Sequence, residues 1–82
     1  MLAQNELDRK EVVATMGRRI ASRRTLLGIT SGDLADRVGI SRVRMSSIEH
    51  DKAGDINTAT LVKIAKALGV TETWILHGER AA

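Results

Sequence analysis

Few side chains in this sequence have the types and spacing that covalent chemistry needs. His50 and His77 stand 27 positions apart, there is no cysteine, and no HxxxH spacing places two imidazoles on one helical face. Neither a zinc site nor a thiolate nucleophile is therefore expected. No serine–histidine–acid set has a positional signature, and no glycine-rich phosphate loop occurs. Asp33 and Asp36 sit at i and i+3, but the first reads as a helix cap and the second as a solvated charge. These observations predict no enzyme, no metal and no cofactor. What remains is the chemistry of arginine. Residues 9–44 hold nine Lys/Arg (Arg9, Lys10, Arg18, Arg19, Arg23, Arg24, Arg37, Arg42, Arg44) against three acids (Glu11, Asp33, Asp36), a net of +6. Residues 45–82 hold four against five, a net of −1. A basic end and a near-neutral end are the pattern of a protein that presents one face to phosphates.

The elements that must position those charges centre on Thr30 to Glu49, TSGDLADRVGISRVRMSSIE. Thr30 is an N-cap, with Asp33 three residues on as the carboxylate of a capping box. Leu34, Ala35 and Val38 make one apolar face, and Gly39 stands where a helix that must stop and turn needs φ > 0. Ser41 caps a second short helix whose inner positions are Met45 and Ile48, following Ile40. Small Ala35 lets the two helices cross closely. This is the pattern of a helix-turn-helix, whose second helix enters the major groove of DNA. The outward positions of that helix are Arg42, Val43, Arg44, Ser46 and Ser47.

On either side, the spacing predicts three more helices. Asp8 with Glu11 opens a helix running to Leu27, with Val13, Met16, Ile20 and Leu27 on one face and Gly28 as its end. After the polar connector His50–Asn57, Asn57 caps a helix through Leu68 that buries Leu61, Ile64, Ala65 and Leu68 and stops at Gly69. Thr71 caps a last helix, Glu72–His77, closed by Gly78. The expectation is a compact all-α domain of five helices, with 1–15 an N-terminal extension, helical or frayed rather than a DNA-embracing arm, 16–78 the domain and 79–82 a loose tail. Hydrophobic content of 43% supports a core in 82 residues. Trp74 is the single aromatic residue, too few for single-strand recognition by base stacking. No apolar run reaches the roughly 18 residues of a membrane span and no secretory signal is present, so a cytoplasmic, nucleoid-associated protein is expected.

Several segments in order resemble the phage repressor/Cro-type (lambda-repressor-like) helix-turn-helix domain: GRRIASRRTLLGIT before the motif, LADRVGIS within it and LVKIAKALGV…WILHG after it, spanning about Met16 to Gly78. The resemblance implies base-edge contacts from Arg42, Val43 and Ser46, with Ser47 next and Arg44 reaching a base or a phosphate. Arg42 has the fork that fits guanine O6 and N7, and Val43 fits thymine methyls. Phosphate contacts are expected from Thr30, Ser31, Arg19, Arg23 and Lys52. Arg24 and Glu49 match a family pair that locks the first helix to the motif. The family commonly has a glutamine at the first motif position, where this chain has Ser31 followed by Gly32. The near-neutral C-terminal part, with Trp74, Ile75, Leu76 and His77, is where similar repressors pair their subunits.

Three functional readings follow. The leading one is a sequence-specific regulator of transcription that binds a pseudo-palindromic operator in double-stranded DNA as a homodimer, with RNA polymerase as a further partner. The others are the antitoxin of a toxin–antitoxin pair, with a toxin as partner, and a protein-interaction module without DNA binding, which Arg42 and Arg44 disfavour. Full phage repressors carry a second domain for which 82 residues leave no room. A Cro-like free-standing regulator or a fragment cut near its linker is expected.

Overall fold

The computed structural model describes residues 15–78. They form five helices: α1 (Met16–Leu26), α2 (Ser31–Val38), α3 (Arg42–Glu49), α4 (Thr58–Leu68) and α5 (Glu72–His77), with no strand among the described residues.

The start of α1 differs from the sequence expectation. Asp8, Glu11 and Val13 lie outside the described residues, and the described helix begins at Met16, after Thr15 in extended conformation (φ −82°, ψ 155°). Its first N–H groups, which have no partner within a helix, are met from two directions. Thr15 Oγ1 accepts from the Arg18 amide at 3.2 Å. Asp51, beyond the end of α3, accepts from the Gly17 amide at 2.9 Å and from the Thr15 hydroxyl at 2.7 Å. Asp51 holds this position with φ 59°, the left-handed region that side chains other than glycine rarely enter. Gly17 permits the approach. A Cβ there would collide with the Ile48 carbonyl oxygen and stand 2.6 Å from Asp51 Oδ1 and 2.8 Å from the Glu49 carbonyl oxygen. At its other end α1 stops at Leu26, so Leu27 does not reach the core and is 43% exposed. The chain turns at Gly28 (φ 75°), and Ile29 packs on the core in its place.

α2 and α3 cross over Ala35, which is fully buried. The Thr30–Asp33 capping box is complete, with the Asp33 amide donating to Thr30 Oγ1 at 3.0 Å and the Thr30 amide to Asp33 Oδ2 at 3.3 Å. Gly39 takes φ 83°, its amide closes α2 onto the Ala35 carbonyl at 2.8 Å, and Ser41 caps α3 through the Arg44 amide. Asn57 and Thr71 cap α4 and α5 in the same manner. All five helices meet in one core, in which Ile20, Leu34, Met45, Ile48, Ile64, Leu68 and Ile75 are completely buried. Each such side chain contributes roughly 1.5–3 kcal/mol by leaving water, and together they fix α3 by its Met45/Ile48 face.

Candidate nucleic-acid interface

Because Met45 and Ile48 point inward, the opposite edge of α3 is free to face a ligand. Arg42, Val43 and Ser46 are exposed there and Ser47 is half-buried. Val43 is 78% exposed, an apolar side chain with no core role. Beside this edge stands the N-terminus of α2, where Ser31 Oγ is buried and has no hydrogen-bond partner. Lys52 is exposed just past α3, with its amide bonded to the Ser47 carbonyl at 2.8 Å. Helix N-termini attract anions through unpaired N–H groups and the helix dipole.

Arg42 does not project freely. Its Nη2 donates to Asp36 Oδ2 at 3.1 Å, an ion pair between two exposed side chains. Its guanidinium also lies over Gly32, where an added Cβ would sit 3.0 Å from Cζ and Nε and 3.2 Å from Nη1. The hydrogen bond to Asp36, then its charge, holds the Arg42 guanidinium above its ordinary pKa. Asp36, expected to be a solvated charge, is therefore part of the α2–α3 contact.

Three arginines assigned to DNA from the sequence have other partners. Arg44 is half-buried, and its two amino groups donate to the Ala53 and Asp55 carbonyls at 3.2 and 3.3 Å, holding the connector against α3. Arg19 is buried, with Nε donating to the Ile75 carbonyl at 2.7 Å and Nη2 to the Leu76 carbonyl at 2.8 Å. Arg23 donates from Nε to the Leu68 carbonyl at 2.9 Å. Arg19 and Arg23, one helical turn apart on α1, thus satisfy carbonyls that α5 and α4 leave unpaired at their C-termini. In these contacts they brace the scaffold, a role that the sequence reading did not expect of them. Their carbonyl partners are neutral and leave these arginines charged, while Arg42 and Lys52 are the exposed cations beside α3.

Arg24 and Glu49 meet across α1 and α3. Arg24 Nε lies 3.0 Å from Glu49 Oε2, its Nη2 lies 3.0 Å from Oε1, and its Nη1 donates to the Ile29 carbonyl at 3.0 Å. Glu49 is buried. Two parallel N–H···O bonds fix both distance and orientation, so α3 is held at its far end by a charge pair and at its middle by the core. In the C-terminal part Ile75 is wholly buried and offers no surface, which removes it from the expected subunit contact. Trp74 is half-buried, His77 is exposed and Leu76 is 45% exposed.

Sequence reasoning missed Asp51, Gly17 and the Asp36–Arg42 contact. For the first two the only local signal was Thr15, an N-cap type placed one residue before the described start of α1. Among the described residues no group of acids and histidines is arranged to hold a metal ion, and no helix is long and apolar enough to cross a membrane.

Comparison with known proteins gives the family. The model of a helix-turn-helix domain matches residues 17–80. Among solved structures, the P22 c2 repressor in complex with a synthetic operator superposes with a TM-score of 0.75 at 34% identity, covering 79% of this chain and 97% of that one. The solution structure of the DNA-binding domain of the P22 c2 repressor superposes with a TM-score of 0.74 at 33% identity, covering 82% of this chain and 87% of that one.

Proposed function

The chain belongs to the helix-turn-helix domain family of DNA-binding regulators, and from that premise we propose that it binds a pseudo-palindromic operator as a homodimer, with α3 in the major groove. The observation that carries this reading is the edge of α3. Arg42, Val43 and Ser46 are exposed together while Met45 and Ile48, on the same short helix, are fully buried. Arg42 supplies a fork for guanine, Val43 an apolar contact for thymine methyls, and Ser46 and Ser47 hydroxyls for either base. Thr30, Ser31 and the N-terminus of α2 hold a phosphate on one side, and Lys52 a phosphate on the other. Arg44 supports Lys52 by fixing the connector. Two-fold pairing through Leu76, Trp74 and His77 sets two α3 helices about 34–36 Å apart, one turn of DNA. Promoter occupancy by such a dimer represses transcription, in keeping with the repressors it resembles.

The experiment is selection from random duplexes, followed by titration of the selected site at several salt concentrations. One or two phosphates neutralised by each protomer give a log–log slope of about −2 to −4 per dimer. A slope near zero, or no enrichment of any sequence, removes operator DNA as the ligand.

A further inference from the structure

The contact between Arg42 and Asp36 joins the exposed edge of α3 to α2, and it uses the one side chain of that edge best suited to read a guanine. Three observations bear on it. The carboxylate takes Nη2 at 3.1 Å. The plane of the guanidinium rests over Gly32, the residue of α2 whose missing Cβ makes the space. Asp36 itself is exposed and has no role in the core or in capping, unlike Asp33 one turn before it.

We propose that Asp36 is a specificity-determining residue that acts through Arg42, by staying paired with Nη2 and holding the guanidinium in one orientation while its other N–H groups meet a guanine edge. The inference rests on the operator-binding reading above. An arginine without such a partner on a recognition helix is drawn to any nearby phosphate and strengthens binding to every sequence. An ion pair between exposed side chains shifts an equilibrium by no more than about fivefold. Arg42 reading a guanine with the pair kept loses none of this, and the two-pronged contact discriminates by roughly five- to 150-fold. Breaking the pair to reach a phosphate offsets a gain of similar size from that phosphate. Asp36 therefore raises the contrast between the operator and other DNA more than it changes operator affinity. Gly32 takes part because a side chain there lifts the guanidinium out of the position that Asp36 reaches.

The test uses the full chain as wild type, Asp36→Asn, Arg42→Ala and the double variant, with Asp36→Ala as a second charge-removing substitution. Each is titrated against the selected operator, single-base variants of it and a scrambled duplex of the same length, with circular dichroism to verify the helical fold. Asp36→Asn is expected to tighten binding to the scrambled duplex about two- to fivefold and to relax preference at one base pair in each half-site. In the Arg42→Ala background the same substitution leaves base preference unchanged. If Asp36→Asn strengthens all duplexes by one factor, whether or not Arg42 is present, Asp36 is only a repulsive surface charge and the proposal is overturned. If the wild type selects no duplex at all, it is the operator-binding reading that fails.

Discussion

Arg19 on α1 reaches the Ile75 carbonyl of α5 with its Nε at 2.7 Å, and Gly78 beyond that helix leaves the space for it, since a Cβ there would stand 3.3 Å from Nη1. A charged donor thus closes the end of the last helix from the first. Charge-assisted hydrogen bonds of this kind contribute about 1.5–3 kcal/mol each. Arg19→Ala is expected to lower stability by at least about 2 kcal/mol in urea unfolding, while the salt slope of DNA binding by the remaining folded protein stays as in the wild type. A slope reduced by one unit per protomer at unchanged stability returns Arg19 to the phosphate contacts.

The Arg24–Glu49 pair makes a different prediction. Removal of one partner leaves the other charged in a site that is mostly closed to water, at a cost of about 3–5 kcal/mol. Glu49 is buried and Arg24 only partly exposed. Arg24→Ala is expected to melt well below the wild type, and the double substitution Arg24→Met with Glu49→Leu to recover much of the loss. Thermal denaturation followed by circular dichroism reads both.

Asp33 gives a pH dependence with a definite sign. The Thr30 backbone N–H, then the Thr30 hydroxyl, hold its carboxyl below the usual aspartate range. A carboxyl with its pKa lowered by folding adds stability above the unfolded value, near 3.9, and that contribution is lost as pH falls through the folded value. Titration of the Asp33 carboxyl carbon by NMR is expected to place its midpoint below that of a disordered aspartate. Asp33→Asn removes the same component from the acid limb of the stability curve. A midpoint at or above the disordered value contradicts the capping box as drawn.

Leu76→Glu tests the subunit contact. Nearly half of Leu76 is exposed while its neighbour Ile75 is wholly buried, so the substitution alters the surface and spares the core. Sedimentation is expected to show loss of dimer. Whole-operator affinity falls and half-site binding is kept. Unchanged whole-site binding places the dimer contact elsewhere.

Much of this domain was legible in the sequence because it is written in short-range terms. The Thr30–Asp33 box, Gly39 at the turn and the caps Ser41, Asn57 and Thr71 are each decided by residues within four positions, and periodicity located Leu34, Ile48, Ile64 and Leu68 in the core. What sequence left hidden depends on long-range reach. Arg19 and Arg23 look like surface cations in any local window, and only the packing of α4 and α5 brings carbonyls to them. Arg44 is likewise outward by helical phase, yet it bends to the connector. Leu27 failed in the opposite sense, since its phase was right and the core ended before it.

The division of α3 into a buried face and an idle edge has a consequence for redesign. Met45, Ile48 and Glu49 anchor the helix, and Arg44 ties down the segment that follows. Positions 43, 46 and 47 carry no such duty, so under the proposed operator binding they form an exchangeable alphabet that can be rewritten for a new target without refolding the protein. Position 42 is not a letter of the same kind. It is spelled jointly with positions 32 and 36 on the neighbouring helix, and a library that varies it alone samples only part of the recognition that this scaffold can express.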